Sequence, residues 1–280
     1  MKIWKKVLLA ISGIAMVLGI CCMIVGFALG VNFKDVKNMM NDGYYNIGVF
    51  GGDWDDWYPW HGSGATDSHS DASDEDNTFT GFENLDIDVK HSKVVLKVYE
   101  GSDIKVSAKN VVSSKYTAKS DGNTLKIKDN TYFKTKSPEI TVSIPKSMDF
   151  NKISLDVDSG EVVIDTLNAN KFSSKIGGGR LSVSGALNAM EIDCSVGAGQ
   201  INLKKLSGSD VELDCGAGQI MAVMEGSQED YRIEGDCGIG QINYGSESFT
   251  SLGKKFTTGS GSKEISAECG VGQIDIQFSK

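Results

Sequence analysis

The chain has 280 residues, 40% hydrophobic and 23% charged, room for one good-sized folded domain with extensions. Its 33 Gly beside only 3 Pro exclude collagen and a proline-rich linker, and fit Gly as a turn residue in a repetitive β fold. A net charge of −9 with no basic patch excludes a nucleic-acid partner.

Residues 1–6 carry Lys2, Lys5 and Lys6 and read as a cytoplasmic N-terminus. The run from Val7 to Gly30, VLLAISGIAMVLGICCMIVGFALG, holds no charge. As a helix it would span roughly 36 Å, enough for a hydrocarbon core of ~30 Å. The sequence therefore predicts one transmembrane helix over residues 7–31 and an integral, single-pass protein of the cell membrane. Positive flanks stay cytoplasmic, so the C-terminal domain is expected to be extracytoplasmic, although Lys34 and Lys37 oppose that bias. The alternative is a signal peptide cleaved after Ala28-Leu29-Gly30, against which the length of the apolar run argues. Bulky Ile20 argues against lipidation of Cys21, and Gly26 and Gly30 form a GxxxG match.

Residues 32–78 read as an acidic, aromatic, largely disordered linker. Between Asn38 and Val89 there are twelve Asp and Glu and no Lys or Arg, and Trp54, Trp57 and Trp60 lie close together. Such a segment buries too little apolar area to offset its ordering entropy. The alternative is a metal site from His61, His69, Asp71, Asp74 and Asp76, but counting from Asp74 a calcium loop's sixth position holds Phe79 rather than Gly.

Residues 79–280 read as a β-solenoid, all-β and like a parallel β-helix, in coils of ~20 residues. Within residues 151–280 a Gly corner recurs as Val157-DSGEV, Ile176-GGGRL, Val196-GAGQI, Cys215-GAGQI, Cys237-GIGQI and Cys269-GVGQI, at steps of 19, 20, 19, 22 and 32. A period near 20 marks a stack in which each repeat is one coil. Before the corner Ile192, Cys194 and Val196 alternate with Asp193 and Ser195, and after it come Ile201 and Leu203. Period two with one apolar face is a half-buried strand. The glycines Gly197, Gly199, Gly216, Gly218, Gly238, Gly240, Gly270 and Gly272 are expected to supply positive φ. Residues 79–150 read as irregular capping strands, with a hairpin signal at Asp121-Gly122-Asn123.

The apolar N-terminus, the strand ITVSIPK at Ile140 to Lys146 and the coil ISLDVDSGEVVID at Ile153 to Asp165 resemble the bacterial "putative adhesin" family, membrane-anchored β-strand-repeat domains of unknown function. The resemblance covers about residues 80–280. It implies the repeat fold and a cell-surface or envelope-stress setting, and it supplies no catalytic residues.

In-register stacking turns repeated positions into columns. Cys215, Cys237 and Cys269 superpose about 4.8 Å apart, within disulfide range, yet Val196 and Ile176 fill the same column, so buried thiols are expected. Gln200, Gln219, Gln241 and Gln273 form an amide ladder. Asp193, Glu212 and Glu234, beside Asp214, Asp236 and Glu268, form an acidic face that either rests on solvent screening or holds a cation such as calcium. With only three His and no GxSxG, HExxH or P-loop pattern, no enzyme and no cofactor is expected. The function read from these features is a non-enzymatic structural, adhesion or interaction module of the envelope, meeting envelope polymers or a partner protein. The alternatives are an envelope-stress sensor and, third, a glycan-active enzyme.

Overall fold

Successive side chains of a strand point to opposite faces, and throughout this domain one of the two sets is apolar and buried. The computed structural model describes residues 72–131, 137–250 and 254–279. The first strands are β1 (Ala72–Phe79), β2 (Asn84–Val89), β3 (Lys93–Tyr99), β4 (Ile104–Val112), β5 (Tyr116–Asp121), β6 (Thr124–Asp129) and β7 (Glu139–Pro145). Next come β8 (Phe150–Ile164), β9 (Leu167–Val183) and β10 (Leu187–Ser207), each of which runs through its corner as one whole coil. β11 (Asp210–Cys215), β12 (Gln219–Glu225), β13 (Tyr231–Cys237), β14 (Gln241–Tyr244), β15 (Glu247–Phe249), β16 (Lys254–Gly259), β17 (Lys263–Cys269) and β18 (Gln273–Ser279) complete the domain.

Strand, corner and strand make one coil, and the coils stack in parallel register. The halves before the corner line up as β6, β2, β8, β9, β10, β11, β17 and β13. Those after it line up as β7, β3, β8, β9, β10, β12, β18 and β14. Antiparallel strands close both ends: β5 on β6, with β4 and then β1 on β7, at one, and β16 on β13 with β15 on β14 at the other. A bare edge of unpaired backbone groups templates aggregation, and these caps cover it. The expected hairpin forms between β5 and β6, with Gly122 at φ +57°.

The core is a set of inward columns. Val89, Val157, Ile176, Val196, Cys215, Cys269 and Cys237 make one, each at most 2% exposed. Burying one aliphatic side chain contributes about 1.5–3 kcal/mol, so such columns hold coil to coil. At the β6 end the column finishes in buried Asp129, which accepts hydrogen bonds from Ser92 Oγ (2.6 Å) and Thr131 N–H (3.0 Å).

The expected fold, a β-solenoid stack of ~20-residue coils preceded by one transmembrane α-helix, is corrected. The described residues are all-β apart from a 3-10 turn at Gln228–Asp230, and no helix among them is long and apolar enough to cross a membrane. The expected span, residues 7–31, lies outside the described residues. Chain order breaks at both ends of the stack. The β2–β3 coil lies between β6–β7 and β8, and the β17–β18 coil lies between β11–β12 and β13–β14. Residues 79–150 thus contribute regular coils as well as caps, and β1 begins inside the stretch read as linker.

The corner glycines also act differently from the expectation. None of Gly197, Gly199, Gly216, Gly218, Gly238, Gly240, Gly270 or Gly272 has positive φ. Neighbouring coils instead touch there backbone to backbone. A Cβ on Gly216 would lie 2.8 Å from the Gly197 carbonyl oxygen, one on Gly238 2.7 Å from that of Gly270, and one on Gly240 2.5 Å from that of Gly272. Gly199, Gly218 and Gly272 are tighter still.

Asn tolerates a left-handed backbone but brings a Cβ, so it separates the two reasons for Gly. Gly218→Asn is expected to cost about 1–3 kcal/mol through overpacking, seen as a melting temperature lower by several degrees. Gly122→Asn, where nothing lies within 4 Å of the new Cβ, should leave it nearly unchanged. Equal losses at both sites would return the corners to a conformational explanation.

Candidate functional site: the acidic face

The outward residues of the strands before the corner form two rows across the coils. The row nearer the corner runs Asp156, Lys175, Ser195, Asp214, Glu268, Asp236 and Lys255. The next runs Ser154, Ser173, Asp193, Glu212, Ser266 and Glu234. All six carboxylates predicted as a face therefore share one sheet, in an order the sequence did not show. Glu268 is flanked by Asp214 and Asp236, while Ser266 separates Glu212 from Glu234.

Stacked like charges destabilise a sheet unless something offsets them. Part of the offset is local. Arg232 pairs with Glu234, Lys255 Nζ stands 3.7 Å from Asp236, and Ser173 Oγ donates to Asp193 at 3.3 Å. Lys171 Nζ pairs with Glu191 at 2.6 Å at the far edge of the face. Among the described residues no cation lies within ion-pair distance of Glu212, Asp214 or Glu268.

Beside the corner the row borders a recess of about 400 Å³ lined by Asp214, Asp236, Glu268, Cys215 and Cys269. Asp214 Oδ1 is buried there without a hydrogen-bond partner. Its carboxyl is pushed up to about 6, by burial first and then by Glu212, Glu268 and Asp193. Among the described residues no group of three His, Cys, Asp or Glu converges as metal ligands would. In-register strands hold the carboxylates in line, which spreads charge along a surface and does not wrap an ion.

The corner forms a ridge along the acidic rows. Its middle residues in spatial order are Ala198, Ala217, Val271 and Ile239, and Ile239 is 63% exposed. Beyond the ridge Gln200, Gln219, Gln273 and Gln241 stand in register. Gln200 Nε2 donates to Gln219 Oε1 at 3.3 Å, but Gln241 Nε2 turns to Asn243 Oδ1 (2.8 Å) and Ser248 Oγ (2.9 Å). Acid rows, an apolar ridge and an amide row thus lie side by side. At the opposite corner, a recess of about 410 Å³ lined by Asn168, Asn188, Met190 and Lys263 carries an Asn pair at 3.0 Å. It was not read from the sequence, although Leu167-Asn-Ala and Leu187-Asn-Ala recur at the coil period and set Asn168 and Asn188 in register.

The thiols of Cys194, Cys215, Cys237 and Cys269 are free and buried. Burial pushes the Cys194 thiol up to about 12 and that of Cys269 up to about 11. Of the alternative linker metal site, His61, His69 and Asp71 lie outside the described residues. Asp74 and Asp76 stand on β1, where Asp74 accepts the Asn110 N–H at 3.3 Å.

Parallel coils with backbone-contact corners and antiparallel caps define a class of all-β repeat domain. A family described as Toastrack DUF4097 matches residues 82–271, and the chain belongs to that family. It is similar to a solved "putative cell adhesion protein" from Clostridium sporogenes, with 15% identity, 74% of this chain and 100% of that chain covered, and a TM-score of 0.42. It is also similar to a "putative adhesin" from Bacteroides fragilis, at 13% identity, 73% and 96% coverage and a TM-score of 0.35. A "putative lipid binding protein" from Parabacteroides distasonis is similar at 14% identity, 74% and 98% coverage and a TM-score of 0.34. Likenesses this distant carry no inference about activity. No curated protein matches the chain.

Two outcomes are expected of this site. Unfolding returns Asp214 from about 6 to its usual 3.8, so folding favours its neutral form. Its contribution is therefore best below the unfolded value and is lost as pH rises through the folded one. The melting temperature should fall from about pH 4 to about pH 6 and then level off, and Asp214→Asn should flatten that slope in thermal melts. An unchanged slope in the variant would refute the assignment. For the thiols, an alkylating reagent at pH 8 should label Cys194, Cys215, Cys237 and Cys269 only on unfolding, since all four are buried away from the reagent. Labelling of native protein within minutes, seen by mass spectrometry, would contradict the buried column.

Proposed function

We propose that the domain is a non-enzymatic interaction module whose acidic sheet and apolar ridge engage a positively charged macromolecular partner. One observation carries this reading: Glu212 and Asp214 on β11 and Glu268 on the adjacent β17 stand together on one face, and none has a cationic partner among the described residues. Repulsion between such groups is relieved when a basic partner docks, and the flat sheet beside an exposed Ile239 offers area for contact. An adhesion role, the one printed for two of the similar structures, falls within this reading.

The test is binding of the full chain to polylysine, followed by calorimetry at rising salt. Affinity should fall steeply with ionic strength. The variant Glu212→Gln/Asp214→Asn/Glu268→Gln should lose about tenfold, since exposed ion pairs contribute up to about 1 kcal/mol each. Equal binding by wild type and variant would overturn the assignment of this face.

A further inference from the structure

The last coil in the chain is not the last in the stack. β17 pairs in parallel with β11 on one side and β13 on the other, and β18 pairs likewise with β12 and β14. The registers on the two sides match. Cys269 stands opposite both Cys215 and Cys237, and Gln273 opposite both Gln219 and Gln241.

Without the insert, the two flanking coils would present equivalent residues to each other: Val211 to Ile233, Cys215 to Cys237, Gln219 to Gln241 and Ile220 to Ile242. The corner motifs Gly216-Ala-Gly and Gly238-Ile-Gly would also meet. Direct stacking thus preserves both the buried columns and the backbone contact at the corner. The contacts the insert makes on either side are thus like those the two flanking coils would offer each other.

Two further features set this coil apart. It is joined to the rest of the domain through Gly259, at φ +80°, and the short stretch Ser260-Gly261-Ser262. Gly261 packs so closely on the Asp230 and Tyr231 backbone that a Cβ there would overlap it. In addition, Glu268 faces a carboxylate on each side, Asp214 and Asp236, where the neighbouring slots of the same row hold Ser195 and Lys175. This slot therefore grips its strand less firmly than the others.

We propose that β17–β18 is an exchangeable coil, and that two copies of this chain swap Lys263–Ser279 reciprocally. Each insert fills the slot between β11–β12 and β13–β14 of the other copy. The contacts in the exchanged dimer are the same in kind as those within one chain, so hinge geometry and protein concentration set the balance. The Gly261 contact holds the hinge closed, and crowding it favours exchange.

The experiment uses outward neighbours on β11 and β17. Glu212 and Ser266 are in register on adjacent parallel strands. The full chain carrying both Glu212→Cys and Ser266→Cys should give the joined peptide with a short thiol crosslinker, which checks folding and register. One chain carrying Glu212→Cys is then mixed with another carrying Ser266→Cys, incubated at rising concentration and crosslinked. A 212–266 joined peptide, identified by mass spectrometry, can form there only between chains. It is expected to rise with concentration and to increase several-fold when both partners also carry Gly261→Val. A joined peptide in the double variant and none in the mixture, with Gly261→Val still monomeric by size-exclusion chromatography, would overturn the proposal.

Discussion

Everything in this domain depends on the approach of backbone to backbone at the corner. Carbonyl oxygens of one coil occupy the space that a Cβ of the next would need, as at Gly240 over Gly272 and at Gly216 over Gly197. That approach fixes the spacing and register of the coils together, because a carbonyl can enter only where a glycine stands. The parity of the flanking strands then carries apolar residues inward and polar residues outward in every coil. A one-residue slip would bring side chains into the corner and turn every inward column to solvent.

Strict register copies each position along the stack, with opposite effects on the two faces. Inside, copying is favourable: Val196, Cys215, Cys269 and Cys237 meet like with like, and a thiol serves as a small apolar group. Outside, copying brings Asp214, Glu268 and Asp236 side by side. The domain relieves part of that repulsion with residues that do not repeat, namely Arg232, Lys255 and Ser266. What is left unrelieved, at Glu212, Asp214 and Glu268, is the surface on which the proposed function rests.

Much of this was legible in the sequence because it follows from local period. The alternation around Ile192, Cys194 and Val196 predicted strands, the recurring GxGQI predicted corners, and Asp121-Gly122-Asn123 predicted a hairpin. The Cys and Gln columns and the outward carboxylates followed from the same parity. The reason for the corner glycines was misread, since one-dimensional sequence shows a turn residue but not the neighbouring coil that presses on it. Lys255 as a partner of Asp236 was invisible because β16 is antiparallel and lies outside the repeat. Asp129 was missed as a core residue because a carboxylate at a buried position is legible only once Ser92 and Thr131 are seen to satisfy it.

Coil order is the feature that local similarity is least able to encode. Cys215-GAGQI, Cys237-GIGQI and Cys269-GVGQI offer nearly the same edges, so their affinities for one another do not specify which pairs with which. The order breaks next to the caps. β15 and β16 precede the last coil in the chain and fold back on the outer edges of β14 and β13. With those outer edges covered, the last coil pairs with β11–β12 on one side and the inner side of β13–β14 on the other. At the other end, β4 and β5 likewise occupy the outer edges of β7 and β6, and the β2–β3 coil, which comes earlier in the chain, pairs with their inner edges. Antiparallel strands thus cover both ends of the stack, and at both ends an out-of-order coil lies just inside them.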